Sequence, residues 1–204
     1  MLEPIADLVF HEDIHRYMYK GDWLARSVTA VLSHDMSAAT RARIDATKHE
    51  WEPRGNTCHA ALEAALLGHT APDPGDYSEW ITPLLAHPLF KDSEVLAVEY
   101  RLVDQRKSLA GSFDCLLRSA KGKTLLCDLK TVGSKPAAAS RKPADAQLGA
   151  YAAMLIDHHQ LNIDACLTVV AGPGITTVKT SDPSDCISQW LDAWDFYQLL
   201  LPDF

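Results

Sequence analysis

From Leu109 to Thr131 apolar and polar residues alternate, the period of a strand that lays one face on a core. Two runs, 109–117 (LAGSFDCLL) and 123–131 (KTLLCDLKT), put Phe113, Cys115, Leu117, Leu125, Cys127 and Leu129 on one face. Ser112, Asp114, Asp128 and Lys130 share the other. Between the runs, Ser119-Ala120-Lys121-Gly122-Lys123 predicts a tight turn, with Gly122 taking the positive φ that a short hairpin loop requires. Such a loop centres the pairing on Lys121. Asp114 is then expected opposite Asp128 and Ser112 opposite Lys130, with facing Cβ atoms roughly 4.5–5.5 Å apart.

Elsewhere the pattern changes between the two periods. A hairpin is expected from Leu8–Phe10 and Tyr17–Tyr19, turning back through Lys20-Gly21-Asp22. In Ser27-Val28-Thr29 either hydroxyl is suited to cap a short helix through Leu32. Helices are predicted over 38–50 and 56–67, the second ended by Gly68. A loop from His69 to Asp76, marked by Pro72, Pro74 and Gly75, precedes a helix from Tyr77 to Leu85. Then come strands near 94–103, 109–117 and 123–131, a helix near 144–158, strands near 163–170 and 174–180, and a last helix over 184–200. This order predicts an α+β (α/β) protein with a central mixed β-sheet flanked by helices. A single domain over 1–204 is expected, its hairpin and helical segment (about 1–90) preceding a core (about 91–204) that carries the chemistry.

A chain of 204 residues is long enough for one domain with a substantial core. It shows no repeat, no apolar run long enough to span a bilayer and no signal-peptide pattern, so a soluble intracellular protein without membrane partners is expected. Cys58, Cys115, Cys127, Cys166 and Cys186 are odd in number and without C-x-x-C spacing. They read as reduced, packed thiols. The formal net charge of −8 argues against a protein that coats nucleic acid, and leaves room for one that holds a strand locally. Basic residues bunch at Arg41, Arg43, Lys48 and Arg54, and again at Lys135, Arg141 and Lys142. Both groups fit a solvated surface; the second also fits phosphate contact, because it lies on the way to the helix beyond the hairpin.

The polar face of the hairpin is where chemistry enters. Two carboxylates held close repel unless neutralised, and a divalent cation does so while leaving Lys130 free to meet an anion. Two readings fit these residues: a metal-dependent phosphodiester hydrolase, or acids and a counter-ion on the solvated face of an edge hairpin. Gln147 and Tyr151, spaced i, i+4, share one face of the following helix. They are suited to hold a nucleotide by hydrogen bonding and stacking, or to be an exposed amide beside a packed ring. Gly55-Asn56-Thr57-Cys58-His59, with Glu63 one turn on, places an imidazole beside an acid near a helix start. The imidazole fits a metal such as Mn²⁺, with Glu63 orienting it, and the pair equally fits an ordinary helical surface.

Four motifs occur in a telling order: G-x-x-x-H at Gly55 to His59, G-x-x-D at Gly111 to Asp114, D-x-K at Asp128 to Lys130 and Q-x-x-x-Y at Gln147 to Tyr151. The chain thereby resembles the PD-(D/E)xK nuclease superfamily, and within it the RecB-like exonuclease branch that includes the CRISPR adaptation nucleases. Ser27-Val28-Thr29 after a short hairpin resembles the small exonucleases related to mitochondrial genome maintenance and phage enzymes. The resemblance implies a restriction-endonuclease-like core and a Mg²⁺- or Mn²⁺-dependent DNA exonuclease acting on single-stranded ends. It implies that Asp114, Asp128, His59 and the backbone carbonyl of Leu129 bind metal, with Glu99 as a further carboxylate. It implies that Lys130 and Gln147 act with Asp114 and Asp128 in catalysis, and that Tyr151, Ser27, Thr29, Lys135, Arg141 and Lys142 meet the nucleic acid. Iron–sulfur members of the branch carry a C-terminal cysteine cluster, whereas here only the widely separated Cys166 and Cys186 lie there, so no Fe–S cluster is expected. Without a P-loop, unwinding requires a helicase or recombination partner, and a cytoplasmic setting in a bacterium or phage-infected cell is expected. An endonuclease on duplex, flap or RNA, and a noncatalytic nucleic-acid-binding subunit, are the alternatives on the same fold.

Overall fold

A computed structural model describes residues 1–200. In chain order β1 (Leu8–His11), β2 (Arg16–Tyr19) and β3 (Asp22–Trp23) form a small antiparallel sheet. β4 (Arg26–Ser27) leads into α1 (Val28–Leu32), α2 (Ala38–Ala46), α3 (Lys48–Leu66), a 3₁₀ turn (Gly75–Tyr77), α4 (Ser78–Ala86) and α5 (Pro88–Lys91). The chain then lays down β5 (Glu94–Asp104), β6 (Leu109–Arg118), β7 (Thr124–Thr131), α6 (Lys135–Ser140), α7 (Asp145–His159), β8 (Ala165–Gly172), β9 (Ile175–Ser181) and α8 (Pro183–Leu199). The fold is mixed α/β: a six-stranded mixed sheet of β4 to β9 flanked by helices.

Each element follows from local chemistry. Ser27 Oγ accepts the N–H of Ala30 at 3.2 Å and so starts α1, as its hydroxyl predicts. Asp182 caps α8 in the same way, accepting from Ser184 N at 2.8 Å. Two corrections concern helices. The helix expected over 38–50 breaks at Thr47, and a new one runs unbroken from Lys48 to Leu66 across Pro53, which removes a single helical hydrogen bond near its start. Between β7 and α7, where no helix is expected, Ser134 caps the short α6, with Pro136 in its first turn.

The sheet divides the core. On one face Val28, Phe113, Leu116, Leu126, Leu148, Tyr151 and Trp190 join α1, α7 and α8 to the strands. On the other, Cys58, Leu62 and Leu84 from α3 and α4 meet Cys115, Leu117, Cys127 and Leu129. A third cluster of Tyr17, Leu24, Val103 and Ala110 anchors the N-terminal sheet. Gly149 sets the closest helix contact, since a Cβ there would stand 1.9 Å from the carbonyl oxygen of Cys186 on α8. All five cysteines are buried thiols.

The hairpin of β6 and β7 has the expected register where it is paired, with Cys115 opposite Cys127 and Leu117 opposite Leu125. The pairing stops there. β7 continues to Thr131 along the parallel partner β8, while β6 stays with β5 along its whole length. The free edge of β6 is taken up again only at Leu109 and Ala110, by β4. The stretch Gly111 to Asp114 therefore borders an open fork. Asp114 and Ser112 are not paired with Asp128 and Lys130 in a ladder, contrary to the regular alternation. Phe113 likewise packs on the α7 side with Leu116 while Cys115 packs under α3, so alternation slips at Asp114. The slip faces Glu99 on β5, which has φ +44° in mid-strand and is skipped in the β5–β6 register.

Candidate functional site

The fork holds the candidate site. Asp114 lies at its mouth and, in place of a ladder bond, its Oδ2 accepts the backbone N–H of Leu129 across the gap. Its Oδ1 lies 3.0 Å from His59 Nδ1, delivered by α3, and the same nitrogen is 3.7 Å from Glu99 on β5. Donor atoms of His59, Glu99 and Asp114 all lie within 4.8 Å of one another. Leu129 enters the cluster through its N–H, and its side chain packs under α3.

Asp128 and Lys130 come from β7 and form a second pair. Lys130 Nζ is 2.8 Å from Asp128 Oδ2 and donates to Gln147 Oε1 at 3.0 Å. Gln147 Nε2 donates in turn to the hydroxyl of Tyr151 at 3.4 Å. Asp128 is buried, and its Oδ2 is held at 2.8 Å by the Lys130 ammonium. One imidazole and two carboxylates clustered beside a third, buried carboxylate are a donor set that fits a divalent cation tolerant of mixed nitrogen and oxygen ligands, such as Mn²⁺.

Electrostatics bind the two groups together. Burial pulls the His59 imidazole down, but the carboxylates of Asp114 and Glu99 outweigh it and hold its pKa at about 10. Burial raises the carboxyl of Asp128, opposed by Lys130 and reinforced by the charge of Asp114. Burial also raises Glu99, against the pull of His59. Without a cation, the proton on His59 is what holds Asp114 and Glu99 together.

Tyr151 is not a surface for a base, because its ring is only 1% exposed and packs against Gly111 and Phe113. Its hydroxyl instead orients Gln147. Ser27 and Thr29 share a hydrogen bond of 3.1 Å at the head of α1, beside the strand pair that leads to Gly111. Lys135 opens α6 and Lys142 lies exposed in the linker that follows; of the three expected phosphate contacts Arg141 alone lines a cavity next to the cluster.

Two open cavities of about 540 and 550 Å³ meet at Asn56 and His59. One is walled by Ile44, Trp51, Leu129, Lys130, Thr131 and Arg141. The other is walled by Phe10, Tyr17, Glu63, Glu99, Ser112 and Asp114. Sequence reasoning did not single out Trp51, whose only signal was a place on the helix that also carries His59, and it named Arg54 only within a basic group that fits a solvated surface. Among the described residues no helix is long and apolar enough to cross a membrane.

No family model matches the sequence, and no curated protein matches it. Among solved structures, the crystal structure of SSO0001 is similar to this chain at a TM-score of 0.40 and 14% identity, over 83% of this chain and 75% of that one.

Proposed function

We propose that the protein is a divalent-metal-dependent deoxyribonuclease that trims single-stranded DNA from an end. The observation that carries this reading is the fork between β6 and β7. There His59, Glu99 and Asp114 cluster within 4.8 Å, and Lys130 on β7 is braced by Asp128 of the same strand and by Gln147 of α7.

His59, Asp114 and Glu99 would hold the ion, with Asp128 beside them. Such an ion lowers the pKa of a bound water and polarises a phosphate oxygen. Asp128 and Gln147 fix the direction of the Lys130 ammonium, so that it meets the extra negative charge on the phosphorus centre as water adds. Tyr151 has no contact with substrate in this reading; it positions Lys130 through Gln147. The cavities on either side of His59 give a strand access to the cluster.

The test is degradation of end-labelled single-stranded, duplex and circular DNA in Mg²⁺, Mn²⁺ or EDTA, comparing the wild type with Lys130→Ala checked for folding by circular dichroism. Metal-dependent loss of linear single strands, with circles spared and the variant inactive, is expected. No cleavage of any substrate by the folded wild type in either metal refutes the reading.

A further inference from the structure

The two cavities that meet at His59 differ sharply in charge, and this asymmetry assigns the path of the strand. The cavity beside Glu99 is lined by Glu12, Glu63, Glu99 and Asp114, against Arg101 and His15. A polyphosphate chain lying there faces a surplus of carboxylates. In the other cavity the acid is Glu52, already paired with Lys48 at 3.2 Å. Arg141 stands exposed at its wall. Arg54, on the same helix, reaches Thr131 of the same wall at 3.4 Å. Neither guanidinium belongs to an ion pair among the described residues. Two cations without a carboxylate partner, Arg54 lying over the Trp80 ring, and an acid with its own counter-ion suit phosphates.

The same cavity holds an aromatic surface. Trp51 is 37% exposed and lines it beside Ile44. Its indole N–H donates to the carbonyl of Ile44 at 3.0 Å, tying α3 to the end of α2. The ring is thus fixed in place before any ligand arrives, and binding costs it little side-chain freedom. An indole face stacks on an unpaired base, which a duplex does not present.

Resting on the nuclease reading above, we propose that the body of a single-stranded substrate is held in the Trp51 cavity. One unpaired base stacks on Trp51, and Arg141 and Arg54 contact the adjoining phosphates. The acidic cavity beyond His59 is left for the nucleotide beyond the cleaved bond. Preference for single strands then comes from Trp51, and electrostatics favour release of the cut piece on the Glu99 side.

The experiment is fluorescence anisotropy of a labelled oligodeoxythymidylate, with Ca²⁺ replacing the reactive metal, over a salt series. Wild type, Trp51→Leu, Trp51→Phe, Arg141→Gln and Lys123→Gln are compared, each first checked for folding. Trp51→Leu is expected to weaken binding about tenfold, and Trp51→Phe to restore most of it, because phenyl keeps a π-face while both variants lose the bond to Ile44. Arg141→Gln should flatten the slope of log affinity against log salt by about 0.7, the loss of one phosphate contact on a single strand. Lys123→Gln, in the exposed turn between β6 and β7 and outside both cavities, should change neither. Full affinity in Trp51→Leu with an unchanged slope in Arg141→Gln overturns the assignment of the strand, and leaves the nuclease reading standing if the wild type binds and cuts. A wild type that binds no oligonucleotide overturns both.

Discussion

Asp114 receives the backbone N–H of Leu129 across the gap where β6 and β7 part, so one carboxylate both closes the fork and faces His59. A ladder would have satisfied that N–H with a carbonyl. The carboxylate replaces it and keeps its second oxygen toward the imidazole. Structure and metal chemistry at Asp114 are therefore separable by substitution.

Asp114→Asn keeps an oxygen for Leu129 and removes the charge, whereas Asp114→Ala leaves the N–H without its partner. Calorimetry with Mn²⁺ is expected to show binding lost in both. Chemical denaturation should show Asp114→Ala less stable than Asp114→Asn by about 1–3 kcal/mol, the cost of an unsatisfied buried donor, since both variants lose the ion pair with His59. Undiminished Mn²⁺ affinity in Asp114→Asn would remove Asp114 from the site.

Gly111 is required by the ring of Tyr151. A Cβ at position 111 would stand 2.8 Å from Tyr151 Cε1 and 3.1 Å from Val28 Cγ2. Gly111→Ala is expected to destabilise by about 1–3 kcal/mol through overpacking. Tyr151→Phe keeps the packing and removes the hydroxyl that orients Gln147, so it should lower kcat with little change in KM or in melting temperature. An unaltered kcat in Tyr151→Phe would mean that the contact to Gln147 does not position Lys130.

Glu99 holds φ +44° in the middle of β5, a conformation costly for any residue with a Cβ. Its contact with His59, at 3.7 Å, is the visible return for that strain. Glu99→Gly and Glu99→Ala lose the same carboxylate, so their difference isolates the backbone. The glycine variant should be the more stable by about 1 kcal/mol in denaturant, the reverse of the usual order in a strand. Alanine at or above glycine would show that position 99 is unstrained.

The imidazole of His59 is opposed by burial but raised to about 10 by Asp114 and Glu99. Its folded value lies above its unfolded one. The stability it contributes without metal is therefore fully present below about pH 6.5 and is lost as pH rises through about 10. A cation that takes Nδ1 must displace the proton. Mn²⁺ binding near pH 8 is expected to release close to one proton per ion, seen as a calorimetric enthalpy that scales with the ionisation heat of the buffer. An enthalpy independent of buffer would show that His59 is already neutral.

Much of the fold was legible in the chain because it is local. Runs of apolar residues between turns marked β5 to β9, Ser27 capped α1, and the turn at Lys121 set the register of Cys115 with Cys127. The i, i+4 spacing of Gln147 and Tyr151 put both on one face of α7, where a hydrogen bond joins them. Periodicity carried no information about where a strand changes partners. The fork exists because β7 pairs with β8 and β6 with β5 and β4, contacts between residues distant in sequence whose energies depend on the whole sheet closing. That choice turned Asp114 toward His59, buried the ring of Tyr151 and set Glu99 in a strained conformation. It also placed Trp51 beside Arg141, two residues ninety positions apart that no local pattern connects.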